Sequence, residues 1–360
     1  MKCPFTSNAQ NKPNKIINWT FLLTNKNPSA GVAGNKYFQM KALLSVALLS
    51  VFFISCNSKN TELTLKDSNS RINHLTIVIE DNLWKGQIGD SLRDIIAAPV
   101  LGLPQEETQF TVNQVTPTAF SNLFKRNRNI LFVGISEKEG YFLKKDVYAA
   151  PQLTMTIFGK DINTLKQLIQ EHKEDIISVF KDSDLAIYQK EKSGISLDTK
   201  DIKTLNNLGI TLKIPQTYAV VDDTGDFLWL RQDISKGSLN IIVYALPLVE
   251  KDSIAINIVE NRNIIGKKYI PGPSEGSYMA TEAAYTPFTK EIEFLGKSAF
   301  ETRGTWEVPG EFMAGPFLNY TIVDKENNRL LVLEGFTYAP SINKRDFMFE
   351  LEAIIKTLKI

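Results

Sequence analysis

The stretch LTIVIEDNLWKGQIGDSLRDIIAAP, residues 75–99, decides how this chain folds. Leu75 to Ile79 is a short apolar, β-branched run, the pattern of a buried strand. From Leu83 to Ala98 the spacing turns helical, with Leu83, Ile88, Leu92, Ile95 and Ile96 on one stripe and Pro99 closing it. A strand followed at once by an amphipathic helix predicts a body in which both elements share a core.

Working outward, the loop PVLGLP (99–104) leads to a strand at Phe110–Val115, a helix from Pro117 to about Arg126 and a strand at Ile130–Ile135. Thr154–Phe158 reads as a further strand, and Asp161 as the N-cap of a helix with Ile162, Leu165, Leu168, Ile169, Ile176, Ile177 and Phe180 on one face. Residues 190–207 are polar. Beyond them strands dominate: Tyr218–Val221, Phe227–Arg231, Leu239–Leu246, Ile292–Leu295, Ala299–Val308, Phe317–Val323 and Leu330–Phe336. Asp222-Asp223-Thr224-Gly225-Asp226 reads as a hairpin turn, 252–266 as weakly helical and 270–290 as a long loop. A last helix carries Phe347, Leu351, Ile354, Ile355 and Leu358. The expected class is α+β in two mixed halves, 74–190 and 208–360, with antiparallel sheets flanked by amphipathic helices.

Upstream, Met40-Lys41 gives a short positive start to the uncharged run ALLSVALLSVFFI (42–54), which has signal-peptide length and is short for a membrane-spanning helix. Ser55-Cys56 then follows as in a lipobox, ahead of the polar run from Asn57. The expectation is a lipoprotein signal over 40–55, acylation of Cys56 and a flexible tether over 56–73. Translation is expected to begin at Met40, with residues 1–39 an over-extended start; a genuine long leader is the alternative. Because Cys3 lies in that leader and Cys56 carries lipid, the mature body has no thiol to pair, and its core must hold the fold without disulfides.

The whole chain is 43% hydrophobic and 22% charged, with net charge +1. The first 55 residues hold six lysines and no acid, which leaves 35 basic against 40 acidic residues, a net of −5. A mildly acidic body argues against nucleic acid as a partner.

Familiar chemistries are sparse. The two histidines, His74 and His172, sit in no HExxH or triad context, and no GxSxG elbow occurs. Gly296-Lys297-Ser298 echoes a P-loop end but has Glu291 in place of the first glycine. The DDTGD acids have no EF-hand spacing. No cofactor or metal site is expected. The densest polar and aromatic cluster is Arg303, Trp306, Glu307, Glu311, Arg329, Glu334 and Tyr338. A carboxylate pair such as Glu307 and Glu311, with Arg303 and Glu334, would suit a hydrolase or transferase if it lined a cleft. The plainer reading is a solvated strand face with cross-strand Arg/Glu pairs.

Several segments together resemble the lipoprotein family of Bacteroidota known as domain of unknown function 4837. They are Leu83-Trp84-Lys85-Gly86 with Gly89-Asp90, Ala98-Pro99 through Leu103-Pro104, Arg126 to Ile130, Ile214-Pro215, Trp229-Leu230-Arg231, Arg303 to Glu307, Gly315-Pro316-Phe317, and Glu334 to Pro340. The likeness spans 74–360 as one module. It implies an envelope lipoprotein, with no established site residues to carry over, and by analogy an outer-membrane protein facing the periplasm. The expected role is a non-catalytic binding or assembly module, held to the membrane by lipid and able to meet an envelope protein partner. The alternatives are the hydrolase or transferase just described and a small-ligand binder using the 270–290 loop.

Overall fold

A computed structural model describes residues 65–193 and 195–360, and its folded body begins earlier than His74. Strand β1 (Lys66–Asp67) lies parallel to Ala149–Ala150, and Arg126 donates to the Asp67 carbonyl at 3.1 and 3.0 Å. The expected tether is therefore docked from residue 66, because its extended backbone finds ladder partners on the first half. Residues 1–39, the signal 40–55, Cys56 and the tether up to residue 64 lie outside the described residues.

The first half runs β2 (His74–Val78), α1 (Asp81–Trp84), α2 (Gln87–Ile96), β3 (Thr111–Val115), β4 (Asn129–Ile135), β5 (Gly140–Lys145), β6 (Ala149–Ala150), β7 (Leu153–Gly159), α3 (Ile162–Glu171) and α4 (Lys173–Ser193). Its five-stranded sheet has the order β3-β2-β4-β7-β5. β2 is parallel to β3 and β4, β4 is parallel to β7, and β5 runs antiparallel to β7. The antiparallel expectation is corrected here: the sheet is mixed, since a crossover such as α1–α2 returns the chain to the same end of the sheet. The near-continuous apolar runs LTIVI and ILFVGI carry that signature, being covered on both faces.

Local chemistry sets the helix boundaries. The helix expected over 83–98 divides at Gly86, whose extended backbone precedes α2. The one expected over 117–126 shrinks to a 3-10 turn at Phe124–Arg126. Asp161 caps α3 as expected, accepting from the Thr164 N–H at 2.8 Å. α4 then serves both halves. Ile176 and Phe180 fill the first core with Leu165 and Ile169, whereas Leu185 and Tyr188 reach the second. Burying each such side chain contributes roughly 1.5–3 kcal/mol.

The second half runs α5 (Lys203–Leu208), β8 (Ala219–Asp223), β9 (Phe227–Ile234), β10 (Gly237–Pro247), α6 (Lys251–Tyr269), β11 (Ala280–Thr281), β12 (Phe288–Phe294), β13 (Lys297–Glu307), β14 (Ala314–Asp324), β15 (Arg329–Tyr338) and α7 (Arg345–Ile355). Its eight-stranded sheet is antiparallel in the order β11-β13-β14-β15-β10-β9-β8, with β12 also on β13. α5 falls within the stretch read as polar. It is held there by buried Ile202 and Leu205 and by the Asp223 carboxylate, which accepts from the Lys203 and Thr204 backbone N–H groups at 2.7 and 2.9 Å. An acid of the DDTGD turn thus fastens a helix. The expected loop at 270–290 holds β11 and the start of β12.

α7 packs on one face of this sheet, where Leu331 and Leu333 meet Leu351 and Ile355. Gly335 permits the close approach, because a Cβ there would lie 2.8 Å from Leu351 Cβ. α6 covers the opposite face with Ile254, Ile258, Arg262 and Gly266, one stripe at four-residue spacing. Residues 64–360 form one compact unit. Among the described residues no helix is long and apolar enough to cross a membrane.

Candidate functional site

Alternation along β13 turns Ala299, Glu301 and Arg303 toward α7, so two charged side chains point at a largely apolar layer and must find partners there. They find each other. Arg303 Nε donates to Glu301 Oε1 at 2.8 Å, and its Nη2 donates to Glu352 Oε2 on α7 at 2.7 Å. The Tyr320 hydroxyl lies 3.2 Å from Glu301 and 3.1 Å from Glu352, and Lys356 pairs with Glu352 at 2.8 Å. Burial opposes charge on both carboxyls, but the Arg303 guanidinium overcomes it and holds each below the ordinary range, with Lys356 adding to the effect on Glu352. The same surroundings push the Tyr320 hydroxyl well up.

This network forms one wall of a cleft of about 720 Å³ between the two halves. α7 supplies Arg345, Met348, Phe349 and Glu352, with Lys356 at its C-cap, while β12 and β13 supply Phe288, Thr289, Lys290, Glu301 and Arg303. From the first half come Ile177, Lys181, Asp182 and Leu185 of α4, with Val100, Leu101 and Gln109 of the preceding loop. Gly102 in that loop presses on the second half: with φ +78, its Cβ position would lie 2.8 Å from Arg303 Cβ. Only a residue without a side chain fits there.

Three joints tie the two halves together beside the cleft. Glu107 accepts from the Lys344 and Arg345 backbone N–H groups at 2.6 and 3.0 Å, capping α7 from the other half and placing negative charge at its positive end. Arg345 donates to the Thr108 carbonyl at 3.0 Å and to Thr111 Oγ1 at 3.1 Å. Asn73, buried at φ 57°, donates its backbone N–H to Asp184 at 2.7 Å and its amide to Asp346 at 2.8 Å, and accepts from Lys181 at 2.6 Å. Burial pushes the Asp184 carboxyl up to about 6, although the Asn73 and Asn129 hydrogen bonds pull the other way. Burial and the nearby Arg345 charge bring the Lys181 ammonium down to about 8.

The cluster read from sequence is dispersed. Arg303 is in the cleft wall, but Glu334 lies on the opposite face of the sheet, fully buried, paired to Arg262 of α6 at 2.9 Å and bonded to Asn319 at 3.0 Å. Arg262 in turn sits 3.8 Å above the Phe317 ring. Glu307 accepts from the Ala283 backbone N–H at 3.1 Å. Glu311 accepts from the Ser274 hydroxyl. The even spacing of Glu307 and Glu311 does not place them on one face, because β13 ends at Glu307 and Glu311 falls in the turn. The four do not form a common site. Trp306 donates to the Thr337 carbonyl at 3.3 Å, and Arg329 pairs with Asp324 at 2.8 Å. Gly296-Lys297-Ser298 forms the turn and start of β13, with Lys297 on Asp324 and Glu326. His172 stacks on Tyr141 at 4.0 Å and bonds Asp175 at 2.9 Å, and His74 opens β2.

Sequence reasoning did not single out Lys181, Lys290, Glu301, Arg345 or Glu352. A signal existed for Glu301: alternation from Ala299 places it and Arg303 inward, and a buried charge demands a partner.

A family model described as domain of unknown function DUF8532 matches residues 68–193, ending with α4. No curated protein matches the chain. Among solved structures, the Saccharomyces cerevisiae Ran-binding protein Mog1p is 11% identical, with 42% of this chain and 89% of its own covered at a TM-score of 0.29. LpqN, involved in cell envelope biogenesis of Mycobacterium tuberculosis, is 13% identical over 42% of this chain and 82% of its own, at a TM-score of 0.27. The model described as domain of unknown function DUF4837 matches residues 196–357, so the module expected over 74–360 is matched as two adjoining domains with the cleft between them. Residues 196–357, from the end of α4 through α7, belong to the family of domain of unknown function 4837.

Proposed function

We propose that this is a lipid-anchored protein of the cell envelope, acylated at Cys56 and facing the periplasm from the outer membrane, that binds a ligand in the cleft between its halves without transforming it. One observation carries the binding reading. The cleft is large, and its buried carboxylates, Glu301 and Glu352, are both committed to Arg303 and held ionised. A general acid needs a carboxyl that keeps its proton near working pH, and these are driven the other way. A size within the roughly 300–1,000 Å³ of ligand sites, at a boundary between domains, supports the same reading. The lipid anchor rests on the order of elements around Cys56, and the envelope role on that anchor.

The test is the thermal unfolding midpoint of the full chain with and without an organic extract of bacterial envelopes. A ligand at a hundred times its Kd adds about 2.7 kcal/mol, a rise of about 5 °C for a body of this size. Phe288→Asp, in the cleft lip, should abolish the rise, and mass spectrometry should recover the extract unchanged. No rise, a rise indifferent to Phe288→Asp, or multiple-turnover conversion of a component would overturn the reading.

A further inference from the structure

We infer that the cleft seats a single-chain anionic amphiphile, its acid group against Lys181 and Lys290 and its hydrocarbon tail along Leu101, Leu185, Phe288 and Met348. This assignment rests on the cleft being the binding site.

The head-group end follows from charge accounting. The lining holds five cationic side chains against three carboxylates. Arg303 is taken by Glu301 and Glu352, Lys356 by Glu352, and Arg345 by Asp346 at 2.8 Å. Lys181 is different. Its ammonium donates to two neutral oxygens, Asn73 Oδ1 at 2.6 Å and the Gln109 carbonyl at 2.9 Å, and among the described residues it has no carboxylate at ion-pairing distance. It lies instead 5.0 Å from the Phe110 ring and 5.7 Å from the Phe349 ring. An ammonium so buried, with Asp184, Asp346 and Glu352 acting on it only from beyond ion-pairing distance, is costly, and an acid group arriving at contact distance lowers that cost. The third N–H of Lys181 is the natural donor. Lys290, 66% exposed on the other wall and 3.4 Å from Glu301, can swing onto the same anion.

The tail end follows from exposed apolar surface. Leu101 is 51% exposed and Phe288 56% exposed, one from each half, both on the cleft. Leu185 and Met348 continue that surface inward. Such surface beside Lys181, which has no carboxylate in contact, and the exposed Lys290 fits a molecule with one charged and one apolar end. A carboxylate and a phosphate monoester share this head-group chemistry.

The experiment titrates the full chain carrying Cys56→Ser with 11-(dansylamino)undecanoate and displaces the probe with dodecanoate, dodecyl phosphate, dodecanol, dodecyltrimethylammonium or inorganic phosphate, all below micelle-forming concentrations. At least one of the two acids should bind ten-fold or more tightly than the alcohol and the ammonium, and inorganic phosphate should not compete. The stronger acid distinguishes a carboxylate from a phosphate ligand. Lys181→Met should weaken the acids about ten-fold and leave dodecanol unchanged. Lys290→Glu, on an exposed side chain that folding does not require, should weaken the acids several-fold, and Phe288→Ser should weaken acids and alcohol alike. Equal binding of alcohol and acids overturns the inference, as does acid binding indifferent to both lysine variants or competition by inorganic phosphate. If no amphiphile binds while the envelope extract still raises the unfolding midpoint through Phe288, the ligand class is wrong and the cleft reading stands. If neither binds, both fall.

Discussion

Replacing Arg303 with Met tests the wall on which the site is built. The substitution keeps the aliphatic stem and removes the cation that bridges Glu301 and Glu352, at 2.8 and 2.7 Å, leaving the Tyr320 hydroxyl between them. Taking one partner from a buried ion pair costs roughly 3–5 kcal/mol, because a charge is left without compensation. Here two carboxylates are left, but Lys356 stays 2.8 Å from Glu352 and Lys290 3.4 Å from Glu301. Their residual attraction places the expected loss at the lower end, about 3 kcal/mol at pH 7. For a body of this size that is a fall of about 6 °C in unfolding midpoint. The pH dependence has a definite sign. Both carboxyls are held below their ordinary values in the folded protein, so their contribution is present above the unfolded value of 4.5 and lost as pH falls. The gap between wild type and Arg303→Met should therefore be widest at neutral pH and narrow toward about pH 3. Arg303→Lys should recover part of the loss, since an ammonium cannot present the planar fork that spans two carboxylates. Urea titrations at several pH values read both quantities. A loss under about 1 kcal/mol at pH 7, or a gap that does not change with pH, would refute the reasoning.

Further outcomes are expected elsewhere. Asp184, pushed up to about 6 by burial, binds a proton more readily folded than unfolded, so wild-type stability should fall as pH rises through that value. Asp184→Asn should remove this slope, and an unchanged slope would reassign the titration. Gly335→Ala should cost about 1–3 kcal/mol by forcing Leu351 and α7 off the sheet, and should shift amide chemical shifts around neighbouring Glu352. Silent shifts there would mean that α7 tolerates the added carbon. Cys56→Ser should abolish labelling by radioactive fatty acid and release the body from the membrane pellet; retained label would place the anchor elsewhere.

The apolar periodicities were legible in the residues themselves. The strands LTIVI and ILFVGI, the Asp161 cap, the stripe of α7 and the strand-rich second half needed no tertiary information, because spacing along one segment decides which face is buried. α6 was faint in sequence because its buried stripe contains Arg262 and Gly266, which signal burial only once Glu334 is known to lie opposite. Strand direction in the first sheet also escaped, although the near-continuous apolar runs LTIVI and ILFVGI are those of strands covered on both faces, as parallel strands are. The site was the least legible part. Arg303 was picked out on density of charge, but its partners come from residue 301 beside it and residue 352 on the last helix, and Lys181 faces it from the other half. Sequence by itself determined the apolar runs and stripes that must be buried. Only the tertiary structure decided which charges met, because pairing across halves depends on how α4 and the 99–109 loop pack against α7, contacts between segments far apart in the chain.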